Sequence, residues 1–298
     1  LAAQLLYPGK TRYAPATLAA KAALTRCPGT RQARIRCLIK HRYRRDRRAA
    51  ALARRIFDRT GTVVGLEPAR RMDGGWRGRL KLVPHLPTGR RRIHLKRLAA
   101  AFDDYAKLFR ALEKRAAQAG TRIKYRWRAL HLRFFRSVGR RTPSAYASGW
   151  TVAWNVNGSL LRTARGVRDT MWHEVFHLND HDHKDWSTRT LKKLHAGIVK
   201  RCTRGRGRRA KLSNRCLRPY APHTTRVMGK TYYAFHPESG VEEYAAELAV
   251  RYYLEQRAAL ARRPPRRPFK CRTPENGRSW ALFVKEFFGG VDLVPRCR

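Results

Sequence analysis

Acidic residues are scarce in this sequence. Asp and Glu number 20 against 68 Lys and Arg, a formal charge of +48 over 298 residues. Such a field favours anionic partners, whether nucleic acid, anionic lipid headgroups or acidic glycans. The basic residues are spread along the chain, however, and the RNP, C2H2 and KH patterns are all missing, so no nucleic-acid module is implied. Long hydrophobic runs are also missing. None approaches eighteen apolar residues, so no transmembrane helix is expected. There is no C-x-x-C pair, which argues against a thiolate zinc site and a thioredoxin-type motif. The start at Leu1 shows no charged segment followed by an apolar block, so any signal peptide is expected to have been removed already.

What is present is enough to fold. At 43% hydrophobic the chain can bury a core, which argues against wholesale disorder. Six cysteines stand at Cys27, Cys37, Cys202, Cys216, Cys271 and Cys297. An even number at wide spacing suits disulfides in an oxidising, extracytoplasmic compartment: secreted, periplasmic or associated with a cell envelope. The sequential pairing Cys27–Cys37, Cys202–Cys216, Cys271–Cys297 is the expectation among the connectivities that six cysteines allow.

Hydrophobic periodicity then divides the chain. Residues 15–58 read as helices, from the Ala-rich "PATLAAKAAL" and "RDRRAAALARRIF". A hairpin is predicted from "GTVVGLEPARRM" and "WRGRLKLVP" about "DGG". "IHLKRLAAAFDDYAKLFRALEKRAAQAG" is a long amphipathic helix stopped by Gly120. "TRIKYRWRALHLRFF" alternates Ile123, Tyr125 and Trp127 with basic residues, a strand pattern, and "GWTVAWNVN" reads as a second strand. Helices follow at "RGVRDTMWHEVFHL", "STRTLKKLHAGIVK", "GVEEYAAELAVRYYLEQRAALARR" and "SWALFVKEFF". Helices, a small mixed sheet, then more helices make an α+β chain. The expected division is a helical segment at 1–60 and one domain at 61–298. That domain holds the sheet and a histidine-bearing helix (61–183), a basic loop (201–216), an acidic helix (240–262) and a terminal helix (278–288).

Within "TMWHEVFHLNDHDH", His173, Glu174 and His177 form H-E-x-x-H. On a helix the i, i+4 spacing puts both imidazoles on one face, one turn apart. Two such rings can bind one zinc ion, with the intervening glutamate within reach of a water on the metal. Zinc lowers the pKa of that water to about 7 and polarises a carbonyl, and the carboxylate serves as general base. Met171, Trp172, Val175, Phe176 and Leu178 make the segment apolar on nearly every side, as a buried helix is. Polar groups buried there need partners or a metal.

A catalytic zinc site takes a third protein ligand, and two candidates stand open. His183 lies ten residues after His173, the spacing of the metzincin pattern, with Asp180 in place of its glycine and Met228 the one methionine downstream. The other candidate is Glu243 on "GVEEYAAELAVRYY", with Glu247 at i+4. The pairing of "HEVFH" with "EEYAAELA" resembles the gluzincin metallopeptidases, of the thermolysin and lethal-factor types, over roughly residues 150–260. The resemblance implies a zincin-like fold and one zinc ion per chain. Its ligands would be His173, His177 and Glu243, its general base Glu174, and Glu247 would hold the far N–H of a ligand histidine. The interval from His177 to Glu243 is longer than usual for that clan and contains the basic loop. "TYYAFHPESG" offers Tyr232, Tyr233 and His236 as donors to a developing oxyanion, and the lethal-factor likeness falls on His236. "GWTVAWNVNGS" has the position of an edge strand that pairs with extended peptide substrate.

The expected function is zinc-dependent hydrolysis of a peptide or protein substrate. Two readings of other kinds stand beside it. One is a basic binding protein for nucleic acid, an anionic envelope polymer or a membrane surface, in which H-E-x-x-H is incidental. The other is a zincin fold that binds without cutting.

Overall fold

The structure is a computed structural model and describes residues 26–74, 78–205, 210–227 and 231–297. The predicted helix at "PATLAAKAAL", the tip of the first hairpin and Met228 lie outside the described residues. Two compact units divide the chain, one of Leu1–Asp104 with Trp127–Val175 and one of Tyr105–Arg126 with Phe176–Arg298. The architecture is α+β, as the patterning predicts.

The first unit opens with α1 (Arg31–Arg42) and α2 (Arg47–Thr60). Asp46 caps α2 by accepting from the Ala49 amide, and Gly61 ends it in the left-handed conformation at φ 68°. Ala49, Ala53, Ile56, Phe57 and Thr60 give α2 its buried face. A mixed sheet follows. Its strands are β1 (Val63–Leu66), β2 (Arg70–Asp73), β3 (Arg79–Pro84), β4 (His131–Ser137), β5 (Ala145–Ser148) and β6 (Thr151–Asn155). The order is β2-β3-β4-β6-β5, with β1 parallel to the first half of β4. Of the predicted first hairpin, Arg70–Asp73 and Arg79–Leu82 form the antiparallel pair β2–β3, whereas Val63–Leu66 leaves it to pair with β4. Leu80, Leu82, Phe135 and Ala153 pack on one face, with Met72 and Tyr146 against them.

Two strand predictions shift. The alternation from Ile123 to Trp127 does bury Tyr125 and Trp127, but the chain there is extended without strand pairing, and β4 begins only at His131. The alternating rings pack on other aromatics: Tyr125 stacks on Phe288 at 5.3 Å, and Trp127 lies 6.4 Å from Phe102. Period two marks an extended chain with one buried face, whatever that face meets. The second prediction ran a strand from Gly149. Gly149 and Trp150 instead form a two-residue hairpin turn, both at positive φ (53° and 56°), between β5 and β6. β6 therefore lies between β4 and β5 and is fully buried. It is not the edge strand expected at "GWTVAWNVNGS"; that edge belongs to β5.

The long helix α3 (Ile93–Gln118) ends before Gly120, as expected. On it, His94 is buried. Its Nε2–H donates to the Val156 carbonyl at 2.9 Å, and its Nδ1 accepts from the Trp154 indole at 3.4 Å. Both bonds suit a neutral ring. Burial, reinforced by Arg91 and Arg97, outweighs the carbonyl bond and lowers the pKa from 6.5 to about 4. In the unfolded chain the ring titrates near its ordinary value, so between about 6.5 and 4 the unfolded state holds more protons. Stability contributed by the neutral ring is therefore complete above pH ~6.5 and is lost as pH falls toward ~4. We expect the denaturation midpoint, measured with chelator present, to decline over this window and His94→Gln to flatten the decline. An unaltered slope in that variant would place the acid sensitivity elsewhere.

The second unit holds the C-terminal half of α4 (Ala164–Asp182), then α5 (Trp186–Cys202), a two-stranded ribbon of β7 (Thr203–Arg204) and β8 (Lys211–Leu212), α6 (Asn214–Leu217), α7 (Val241–Leu260) and α8 (Pro274–Phe288). Its core is aromatic. Phe176 meets Phe283 and Phe287 at 5.8 and 5.5 Å, Trp186 meets Phe287 at 5.0 Å, and Tyr252 stacks on Phe288 at 4.2 Å. The three disulfides are Cys27–Cys37, Cys202–Cys216 and Cys271–Cys297, the sequential pairing expected. The second closes the basic loop at the base of the β7–β8 ribbon. No helix among the described residues is long and apolar enough to cross a membrane.

Candidate metal centre

Helix α4 is buried as its composition requires. Met171, Trp172, Val175 and Phe176 are at most 1% exposed, and His173 and Glu174 are buried with them, whereas His177 is half-buried. Regular helix runs from Ala164 through Asp182, so His173 and His177 stand one turn apart on one face. Helix α7 brings the carboxylate. Its first turn holds Glu242 and Glu243, and its Tyr244, Ala245, Ala246, Leu248 and Ala249 are buried. Glu243 Oε2 lies 3.5 Å from His177 Nε2. One ligand atom each from His173, His177 and Glu243 falls within 4.8 Å of the others, the one such group of His, Cys, Asp and Glu among the described residues.

The donor set fits a metal of the zinc class. Two imidazole nitrogens and a carboxylate oxygen are ordinary zinc donors, and bonds of about 2.1 Å in a tetrahedron hold donors about 3.4 Å apart. The His177–Glu243 separation of 3.5 Å is close to that value. A group of this composition can hold a metal ion.

The remaining candidates are placed as follows. Glu174 sits on α4 directly beside His173. Glu247, one turn beyond Glu243 and buried, has its Oε2 3.2 Å from His223 Nδ1. His223 also meets Thr225 Oγ1 at 2.7 Å. No spacing in the sequence pointed to His223, a single histidine in the loop "APHTTR", and only the three-dimensional proximity to α7 reveals it. Tyr233 and His236 are half-buried at either end of the 3-10 turn that leads to α7. The Tyr233 amide donates to Thr225 O at 2.9 Å, which ties that turn to the His223 loop. Tyr232 is buried and its hydroxyl accepts from Arg226.

His183 does not join the group. Its Nδ1 lies 2.6 Å from Glu286 Oε1 on α8, and its ring packs on Phe287 at 4.8 Å. Asp180, at the metzincin glycine position, is buried because the helix continues past it. Its carboxylate accepts from the Ser187 amide at 2.7 Å and the Ser187 hydroxyl at 2.5 Å and so closes the first turn of α5. Burial raises its pKa against the pull of those two bonds. The turn that a metzincin needs at this position is therefore not made.

A scan of family models, a search of curated proteins and a search of solved structures each returned no match to this chain.

Proposed function

We propose that the chain is a zinc-dependent peptidase of the gluzincin type. The observation that carries this reading is the gathering of Glu243 with the two histidines of H-E-x-x-H. When bound, zinc would supply Lewis acidity at a peptide carbonyl and a water of lowered pKa. His173, His177 and Glu243 hold the ion. Glu174 takes the proton of the attacking water and returns it to the leaving amine. Glu247, one turn beyond Glu243 and 3.2 Å from His223, would accept the far N–H of a ligand histidine, and His236 or Tyr233 would donate to the developing oxyanion.

Two further features support the reading. The sheet presents β5 as an antiparallel edge, a place for an extended peptide to add as a further strand. The three disulfides favour an oxidising compartment, so the proposed setting is extracytoplasmic.

The pure protein is expected to retain about one zinc per chain after loading, as ligand sets of this kind do, and to cleave an unstructured polypeptide such as casein. Zinc should be released as pH falls through the histidine range, because ligation needs neutral imidazoles. Elemental analysis showing no metal after zinc loading would end the reading. Metal without cleavage would reduce it to a binding or structural site.

A further inference from the structure

Positive charge is spread over the chain, and in the first unit several arginines line a shallow depression. An open cleft of about 500 Å³ is lined by Arg45, Arg47, Arg48 and Arg92, with Asp46 and Thr88. The acid there is committed. Asp46 accepts from the amides of Ala49 at 3.0 Å and Gly89 at 2.9 Å and pairs with Arg92 at 2.8 Å. Burial acts to raise its pKa, but these bonds outweigh burial and hold the carboxyl below its usual range, so it stays ionised. Four arginines against one aspartate leave a lining charge of +3, carried by the exposed Arg45, Arg47 and Arg48.

Helix stability does not explain these residues. Arg47 and Arg48 occupy the first turn of α2, which contains no acid, and the helix dipole disfavours cations there. A cleft focuses the field of such charges, and guanidinium forks match phosphate oxygens two at a time. Among the described residues the lining has no aromatic ring, so these residues offer no platform for stacking a base. We propose that this cleft binds neighbouring phosphate groups of a linear, ring-free polyanion, such as an inorganic polyphosphate or a polyol-phosphate chain. The cleft shares no residue with the candidate metal centre, so its test is independent of the peptidase reading.

The test is calorimetric titration of the whole protein with inorganic tripolyphosphate at about 0.15 M ionic strength. Arg45→Ala/Arg48→Ala is compared with Arg262→Ala/Arg263→Ala, an exposed pair after α7 that changes net charge equally. The cleft variant should bind about tenfold more weakly or worse, and the control should stay within about twofold. Orthophosphate should bind about tenfold more weakly than tripolyphosphate, because it spans fewer arginines. A glycerol-phosphate oligomer titrated in parallel shows which ring-free source is preferred. Equal losses in the two variants, with folding verified by circular dichroism, would show a diffuse field and no site. A single-stranded oligonucleotide of matched charge that binds more tightly through the same arginines would overturn the ring-free assignment in favour of nucleic acid.

Discussion

Replacing Glu174 by glutamine is expected to abolish peptide hydrolysis while leaving fold and zinc in place. Glu174 is buried on α4, flanked by helix positions that are at most 9% exposed. Glutamine has the same length and shape and still accepts and donates hydrogen bonds, so the surrounding packing is kept. What it cannot do is take a proton. A positioned general base is worth about 10²–10⁴ in rate, and the loss should fall on kcat with KM little altered, because the water is activated only on the way to the transition state. The comparison is steady-state cleavage by the wild type and Glu174→Gln at matched zinc content. Activity retained within about tenfold would remove Glu174 from the role of base and with it the main chemical argument for a peptidase.

Much of this arrangement was legible in the sequence, for physical reasons that differ by element. Long amphipathic helices announce themselves because caps and periodicity agree. Gly120 follows the end of α3 at φ 64°, and Gly289 at φ 58° stops α8. The two histidines of H-E-x-x-H were legible because i, i+4 on a helix fixes their geometry locally, whereas Glu243 was one of two open candidates, put forward by the likeness of its helix to the gluzincins, and the fold brings it to them. Non-local facts were not legible. Alternation through Tyr125 and Trp127 carries no information about whether the buried face meets a sheet or helices. The turn at Gly149–Trp150 was hidden because a tryptophan at positive φ is a poor turn signal. The partner of Asp180 was not legible either: its carboxylate accepts from Ser187 in the next helix. His223 belongs to no pattern, and only the folding of its loop against α7 brings it to Glu247.

The identity of the third ligand is the most decisive remaining test of the site, and the structure orders the outcomes. Glu243→Ala leaves two imidazoles, and competition with a chelator should show zinc affinity falling more than about 100-fold, beyond the range of supporting residues. Glu247→Ala removes the carboxylate 3.2 Å from His223, a group that acts through its neighbours, so the loss should be about 10–100-fold. His183→Ala breaks the 2.6 Å contact with Glu286 and the packing on Phe287. Both partners lie on α8, so that variant should lose roughly 1 kcal/mol of stability and hold zinc as the wild type does. Thermal unfolding and chelator competition therefore separate the two third-ligand candidates: one readout moves for His183, the other for Glu243. If His183→Ala strips the metal while Glu243→Ala keeps it, the gluzincin assignment falls. The last turn of α4 would then have to unwind at Asp180 and break its bonds to Ser187, so that His183 could reach the ion in the metzincin manner.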